Sequence, residues 1–123
     1  GVMKSTDPIR IVLFLDKDYK ARLSIYPSLV LNYFSDIIWQ PKSLNIPKSI
    51  KKQFSFRGNY DLIKKLASDE LFCESILNEE IYITLDNRFP KSLMVTPPYG
   101  IYDMEHFQKL VLIAKRIEFN LKN

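Results

Sequence analysis

Histidine and cysteine, the residues that most often hold zinc, are almost absent from this chain. Its 123 residues include one cysteine, Cys73, and one histidine, His106. A single cysteine excludes an intramolecular disulfide, so the fold cannot depend on one. Zinc sites normally use several histidine or cysteine ligands. We therefore expect no metal site and no cofactor, and we interpret Cys73 as a small buried side chain within a helix.

The chain also has few glycines and no long apolar run. Its three glycines form neither a GxxxxGKS/T nor a GxGxxG sequence, so we expect no phosphate-binding loop. No segment reaches the roughly 18 uninterrupted apolar residues that a membrane helix requires, and no signal peptide is evident. The opening Gly1-Val2-Met3 resembles a tag-cleavage scar followed by an internal methionine. Whether a membrane anchor or a signal peptide was removed upstream is therefore left open.

The chain does contain enough apolar material for a core. Hydrophobic residues make up 46% of it and aromatic residues 13%, which is not the composition of a disordered chain. A domain of this length buries roughly 65–70% of its unfolded surface. We expect residues 1–8 to be a flexible leader or tag remnant and residues 9–123 to form a single domain.

Charge is unevenly distributed along the chain. The net charge is +4, but residues 1–65 carry twelve Lys/Arg against five Asp/Glu, whereas residues 66–123 carry six against nine. A basic half could bind nucleic acid, an anionic membrane surface or an acidic partner protein. A solvated surface with uneven charge explains the same pattern without a partner.

A predicted strand with two phenylalanines organises the chain. Residues 53–57 alternate polar and apolar side chains, which places Phe54 and Phe56 on one face. Gly58 then allows the backbone to turn, and Asn59 has a short side chain that can accept a hydrogen bond from an early helix N–H. We interpret both phenylalanines as core residues that pack against helices.

A broken helix and two further strands follow. The helical stripe that begins at Tyr60 slips at Ser68-Asp69-Glu70, which favours a new cap there and two short helical pieces. Four apolar side chains of the second piece are expected to point inward: Leu71, Phe72, Ile76 and Leu77. Alternation at residues 81–85 and 93–95 predicts two strands, the first of which completes a strand–helix–strand unit. Residues 96–100 are predicted as a loop because proline cannot donate to a sheet ladder.

The N-terminal part of the chain has the pattern of a β-hairpin. Two alternating runs, residues 9–15 and 19–25, are joined by Asp16-Lys17-Asp18, which are typical turn residues. Residues 28–39 fit a short helix with Ser28 as a possible cap, although their β-branched and aromatic content also fits a strand. We favour the helix and leave the strand open.

The C-terminal helix has the most regular pattern. Asp103 is a predicted N-cap, with Tyr102 and Phe107 placed as a hydrophobic staple across it. Apolar residues repeat at spacings of three and four: Phe107, Leu110, Ala114, Ile117 and Leu121. Glu105 and Lys109 are placed as an i,i+4 ion pair. We therefore predict an α+β fold, in which a mainly antiparallel sheet carries two principal helices on one face.

The residues that could carry catalysis are few. His106 could act as a general base, but its place in the first turn of a helix suits a surface residue. Glu70 and Glu74 are one helical turn apart and could share a metal or form an acid/base pair, but a solvated helix face is the favoured explanation. Glu79-Glu80 supplies two more carboxylates. We expect no catalytic residue.

The basic residues around the phenylalanine strand are the candidate binding site: Lys48, Lys51, Lys52 and Arg57. Basic side chains beside exposed aromatic rings can hold single-stranded nucleic acid by phosphate contact and stacking. This reading requires Phe54 and Phe56 to be exposed, and their packing into a core is the favoured alternative. Pro97-Pro98-Tyr99 could serve as a peptide ligand or simply as a rigid loop.

Several features carry a resemblance to a known group of proteins. They are the run from Phe54 to Asn59, the helical region from Leu66 to Leu77, two strands, and the terminal helix capped by Asp103. In this order, from about Ile46 to Leu121, the chain resembles uncharacterised bacterial soluble domains that are attached to membrane anchors. The resemblance implies a bacterial, membrane-tethered protein without an assigned activity, and it transfers no functional residue.

Together these patterns favour a non-enzymatic binding or scaffold module, as the soluble part of a membrane-associated protein. Its partner would be another protein or an anionic membrane surface. The first alternative is a nucleic-acid-binding domain that uses the basic N-terminal half, and the second is an enzyme built on carboxylates. The expected location is bacterial, either cytoplasmic or tethered to a membrane, and the oligomeric state is left open.

Overall fold

The computed structural model describes residues 9–28 and 45–123, and within these ranges the chain forms five strands and four helices. In chain order they are β1 Ile11–Phe14, β2 Leu23–Pro27, α1 Lys48–Gln53, β3 Phe54–Gly58, α2 Tyr60–Ala67, α3 Glu70–Ile76, β4 Tyr82–Leu85, β5 Ser92–Thr96 and α4 Met104–Lys122. The predicted leader lies outside the described residues. So does the segment predicted as helix or strand, apart from Ser28.

The strands form one antiparallel sheet in the order β1-β5-β4-β2-β3. In its centre, Ile83 lies opposite both Ile25 and Val95, and all three side chains are fully buried. Helices α2 and α4 contact the strands on this buried face, and α3 packs against both of them. The predicted α+β fold with a mainly antiparallel sheet is confirmed.

The predicted N-terminal hairpin is wrong in its pairing. Both strands exist, but β1 pairs with β5, and β2 lies between β3 and β4. The predicted turn residues form hydrogen bonds within their own segment: the Asp18 carboxylate accepts a hydrogen bond from the Lys20 N–H at 2.8 Å. Alternation reports which face a side chain takes, but it carries no information on which strand lies alongside. A local turn signal was therefore not enough to specify the neighbour.

The strand–helix–strand unit is present with a third strand inserted into it. Strands β3 and β4 are both antiparallel to β2, so they run parallel to each other with β2 between them. At the junction after β3, the Asn59 N–H donates to the Arg22 carbonyl at 2.9 Å, and the Asn59 side-chain oxygen accepts from the Arg22 N–H. Asn59 does occupy the N-cap position of α2, but its side chain makes no capping bond. That part of the prediction is wrong, because the side chain binds a neighbouring strand instead.

The break between α2 and α3 is confirmed. Asp69 is the N-cap of α3, and its carboxylate accepts a hydrogen bond from the Phe72 N–H at 3.0 Å. Phe72 and Ile76 are fully buried, as expected, and Leu77 is partly buried. Leu71 is exposed, so its predicted inward position is wrong. In so short a helix the buried face is narrow, and Leu71 lies outside it.

Helix α4 follows most of its predicted pattern. Asp103 caps it by accepting a hydrogen bond from the His106 N–H at 2.8 Å. Of the predicted stripe, Leu110, Ala114 and Ile117 are buried, and Ile113 and Asn120, which were not predicted, are buried as well. Phe107 is exposed, and Tyr102 is exposed with its ring stacked on His106. The predicted staple is therefore replaced by a stacking contact. Lys109 forms an ion pair with Glu79 from another segment.

Phe54 and Phe56 are both buried in the core. They lie opposite Pro27 and Ile25 of β2, and β3 contacts helices α1 and α2. The core interpretation of the two phenylalanines is confirmed. Neither ring is available as a stacking surface for a nucleic acid base.

Candidate functional site

Four strands meet at one end of the sheet, where a concave surface lies. Strand β4 begins there beside the end of β5, because Tyr82 lies opposite Thr96. Strand β2 ends there beside the start of β3, because Pro27 lies opposite Phe54. The connections from α3 to β4 and from β5 to α4 therefore arrive at the same place.

Two adjoining cavities occupy this end of the sheet. The larger, which we call the sheet-end cleft, has a volume of about 440 Å³. Its lining comprises Pro27, Gln53, Asn78, Glu79, Glu80, Tyr82, Pro98 and Tyr99. The smaller, which we call the side pocket, has a volume of about 80 Å³ and shares Asn78, Glu79, Glu80 and Tyr99 with the cleft. It extends to Pro97, Gly100, Tyr102 and His106.

His106 and Glu79 form a buried pair in the wall of the side pocket. The His106 Nε2 atom lies 2.8 Å from Glu79 Oε1, and the two side chains are only 11% and 13% exposed. The other carboxylate oxygen of Glu79 lies 3.4 Å from Lys109 Nζ. Glu79 is therefore held by two groups from α4, and its negative charge is largely offset by the Lys109 ammonium.

Both ring nitrogens of His106 are occupied. The Tyr102 N–H donates to His106 Nδ1 at 3.1 Å, so this nitrogen is the acceptor. The neutral ring has one donor and one acceptor nitrogen, which places its proton on Nε2 and makes Nε2 the donor to Glu79. A general base needs a free nitrogen within reach of a substrate proton. In this geometry His106 positions Glu79 and the backbone at Tyr102, and it presents no lone pair to the cavity.

Gln53 and Asn78 fix another side of the sheet-end cleft. The Gln53 Nε2 group donates to Asn78 Oδ1 at 2.8 Å, and the Asn78 N–H donates to Gln53 Oε1 at the same distance. Asn78 has φ of +66°, a conformation that asparagine tolerates better than most residues. These paired bonds join α1 to the segment before β4, so the backbone that carries Glu79 and Glu80 is tied down on both sides.

Three cleft residues keep unused binding capacity. Glu80 is exposed and forms no hydrogen bond or ion pair with another residue in the described part of the chain. Tyr82 and Tyr99 are 46% and 71% exposed, so aromatic surface faces solvent beside this carboxylate. Among the described residues, the cleft lining contains two carboxylates and no Lys, Arg or His. A carboxylate next to aromatic rings is a favourable environment for an organic cation.

The four residues of the predicted basic patch lie on α1 and β3, outside the two cavities. Lys48, Lys51 and Lys52 lie on α1, whereas Arg57 lies toward the opposite end of β3. The Arg57 Nε group donates to the Tyr26 hydroxyl at 2.7 Å. None of the four residues lines either of the two cavities.

The other candidate residues of the sequence are not placed for chemistry together. Glu70 and Glu74 are exposed on α3 and line neither cavity. Burial, followed by the nearby Asp69 carboxylate, raises the pKa of the Cys73 thiol, which disfavours the nucleophilic thiolate. Its Sγ donates weakly to the Leu66 carbonyl at 3.5 Å. Cys73 thus packs as the expected filler.

No group of three or more His, Cys, Asp and Glu side chains within the described residues is arranged to hold a metal ion. None of the helices described is both long and apolar enough to cross a membrane.

Half of the cleft residues were singled out in the sequence, but nothing there indicated that they lie together. Glu79-Glu80 was noted as a carboxylate pair and Pro97-Pro98-Tyr99 as a loop or peptide ligand, yet these segments are about 20 residues apart in the chain. Only the pairing of β4 with β5 brings them together. The one local signal was the exposed aromatic residue that follows two prolines, which is an unusual choice for a purely connecting loop.

Comparisons with known proteins do not place the chain in a group. No family model matches it, and neither a curated protein nor a solved structure matches it. The resemblance to membrane-anchored bacterial domains therefore stays a prediction.

Proposed function

We propose that this chain is a non-enzymatic binding module whose sheet-end cleft receives a cationic side chain, lysine or arginine, of a partner protein. The observation that carries the proposal is the Glu80 carboxylate, which has no partner among the described residues and lines the same cleft as the exposed rings of Tyr82 and Tyr99. A cation placed there gains a charge-assisted hydrogen bond and contact with an aromatic face.

The two glutamates differ in their contacts, and this difference supports a binding role. Glu79 already contacts His106 and Lys109, so its carboxylate has little capacity left for a ligand. Glu80 has no such contact among the described residues, and a ligand cation would supply the missing partner. The volume of about 440 Å³ lies within the usual range for sites that enclose a side chain or a small molecule.

The chemistry of the titratable groups favours binding over catalysis. His106 has both nitrogens engaged, and the raised pKa of Cys73 disfavours its thiolate. The nucleic-acid alternative requires basic residues next to exposed rings, whereas the aromatic cleft is lined by carboxylates and repels phosphate. An attachment to a membrane stays part of the proposal through the sequence resemblance alone, and the reading frame upstream of Val2 tests it.

The test uses three capped peptides that differ in one residue: Ac-Gly-Lys-Gly-amide, Ac-Gly-Arg-Gly-amide and Ac-Gly-Glu-Gly-amide. Each is titrated into ¹⁵N-labelled protein while amide shifts are followed. We expect the two cationic peptides to shift the amides of Glu80, Tyr82 and Tyr99, and the glutamate peptide to leave them unchanged. The response should weaken with added salt because the contact is electrostatic.

A matched pair of variants locates the contact. Glu80→Gln removes the free carboxylate, and we expect the cationic peptides to bind about three- to tenfold more weakly, as for the loss of one partly exposed charge-assisted hydrogen bond. Glu74→Gln removes an exposed carboxylate on α3 outside the cleft and should leave binding unchanged. Equal affinity of the two variants, or equal shifts with all three peptides, would overturn the proposal.

A further inference from the structure

We infer that His106 is a pH-sensitive switch that sets the position of the loop from Pro97 to Tyr102, and with it the affinity of the sheet-end cleft. The effect on cleft affinity rests on the proposed function. The effect on the position of the loop depends only on the contact between the imidazole ring and the loop.

Two contacts of the His106 imidazole ring hold the end of this loop, and a third joins the ring to Glu79. The Tyr102 N–H donates to His106 Nδ1 at 3.1 Å, and the Tyr102 ring stacks on the imidazole with centroids 4.6 Å apart and planes 17° from parallel. On its other side, His106 Nε2 contacts Glu79 Oε1 at 2.8 Å. The ring therefore joins the loop to the segment that carries the cleft glutamates.

Protonation of the ring breaks the hydrogen bond at Nδ1 and keeps the hydrogen bond at Nε2. In the charged imidazolium both ring nitrogens are donors. The proton on Nε2 still points to the Glu79 carboxylate, so that contact persists. A proton on Nδ1 faces the Tyr102 N–H, and two donors cannot satisfy each other. The loop backbone at Tyr102 must then move away from the ring to find another acceptor.

The charged groups around His106 act in both directions. Glu79, from the segment before β4, favours the imidazolium. Lys109, one turn later on α4, shares that carboxylate and opposes a second positive charge, as does the positive end of the α4 dipole. Asp103 lies at the same helix end and accepts from the His106 N–H, and Glu80 lines the same pocket. Protonation of an imidazole ring is a common basis for pH-sensitive contacts, and His106 is the one histidine of the chain.

The loop links this contact to the ligand site. Pro98 and Tyr99 line the sheet-end cleft, and Tyr99 also lines the side pocket that contains His106. Between Tyr99 and Tyr102, Gly100 has φ of +86°, and its N–H donates to the Pro97 carbonyl at 3.1 Å. A displacement at Tyr102 therefore acts on a short turn that carries Tyr99. Mild acid should move the aromatic wall of the cleft and weaken binding of a cation.

The experiment follows two readouts in the same ¹⁵N-labelled protein from pH 8 to pH 5.5. The first is the amide shifts of Tyr99, Gly100 and Tyr102 without ligand, compared with the titration of the His106 ring observed directly. The second is the affinity for Ac-Gly-Lys-Gly-amide. We expect the loop amides to titrate together with the ring, and the affinity to fall threefold or more across this range.

His106→Asn supplies the control. Asparagine keeps a side-chain oxygen that can accept from the Tyr102 N–H but does not titrate, so its loop amides and affinity should stay constant over the range. If the loop amide shifts of the unmodified protein do not change together with the His106 ring signals, the switch is overturned, even if the peptide binds normally at pH 8. Peptide binding that is absent at every pH overturns the proposed function, whereas loop amides that follow the ring still support the switch.

Discussion

Gly58 occupies a position where no other residue fits, because it combines an unusual backbone conformation with a close contact. Its φ is +131°, and a Cβ atom built on it would lie 2.2 Å from the carbonyl oxygen of Arg22. The contacted atoms are backbone atoms of Arg22 and of Leu23, the first residue of β2, so they cannot rotate aside. We expect Gly58→Ala to lower the free energy of unfolding by more than the roughly 1–3 kcal/mol of backbone strain alone. Urea denaturation measures this loss.

Gly100 is the matched control for this substitution. It also has positive φ, +86°, but a Cβ atom there meets nothing within 4 Å apart from its own neighbours in the described chain. Gly100→Ala should therefore lower the free energy of unfolding only through the strained backbone conformation. The additional loss in Gly58→Ala then measures the steric contact with Arg22. If both variants lose the same free energy, the sheet accommodates a side chain at Gly58 and the close approach is not rigid.

At the scale of elements, a buried polar cluster joins α3 to α4. One carboxylate oxygen of Asp69 accepts from Arg116 Nε at 3.0 Å, from Arg116 Nη2 at 2.7 Å and from Asn120 Nδ2 at 2.8 Å. The other caps α3 through the Phe72 N–H. The Asp69 side chain is 6% exposed. Burial opposes ionisation, but the hydrogen bonds from Phe72, Arg116 and Asn120 together outweigh it and hold the pKa of Asp69 below its usual value.

This lowered pKa has a defined consequence for the pH dependence of stability. Because the carboxyl of Asp69 is a stronger acid in the folded chain than in the unfolded one, its ionised form stabilises the fold above a pH of about 4. The contribution is lost as the pH falls through the folded pKa. We expect Asp69→Asn to lower the free energy of unfolding by about 2–4 kcal/mol at pH 7, because Arg116 and Asn120 then face an amide NH₂ group.

Denaturation at several pH values checks this expectation. The gap in unfolding free energy between the unmodified protein and Asp69→Asn should narrow below a pH of about 4, since protonated Asp69 no longer carries the charge. Glu70→Gln changes the adjacent, exposed carboxylate and should have a small effect at every pH. A gap that stays constant into acid would show that the hydrogen-bond geometry, rather than the ionised state, stabilises the cluster.

Some elements could be predicted from the sequence and others could not, for physical reasons. The break before Asp69 and the cap at Asp103 were predicted because capping depends on residues within one turn. The pairing of β1 and β2 was not, because strand partners are chosen by the whole sheet. Asn120 could not be recognised as buried from the chain either, since its partner Asp69 is 51 residues away. Local signals thus specified where elements begin and end, but not what they contact.

The candidate site belongs to the scale of the whole molecule. Its lining comes from the end of β2, the end of α1, the segment before β4 and the loop after β5. Each of these segments was visible in the sequence, but none carries a motif that predicts a site. The charge of the chain was also misleading at this scale, because a net charge of +4 coexists with a cleft lined by two carboxylates. A site formed only by strand order cannot be read before the strand order is known.

Strand order also predicts how stability varies across the sheet. Ile83 in β4 has a buried partner on each side, Ile25 and Val95. Among the described strands, β1 is at the edge and pairs on one side, with β5, and its last residue, Phe14, is exposed. Opening β1 therefore breaks one described ladder and uncovers the partly buried Ile11 and Leu13, whereas opening β4 exposes fully buried core residues. Regions with few buried contacts open at lower free energy than the central strands.

We therefore expect native-state hydrogen exchange to separate the edge from the centre. Amides of β1 that bond to β5 should exchange through openings at least about 2 kcal/mol less costly than those of the Ile83 region, which corresponds to roughly 30-fold faster exchange after correction for intrinsic rates. Exchange followed by NMR under mild conditions measures both groups in one sample. Equal protection would mean that β1 unfolds only together with the core. Its pairing with β5 across about 80 residues of chain would then be part of the cooperative unit rather than an addition to it.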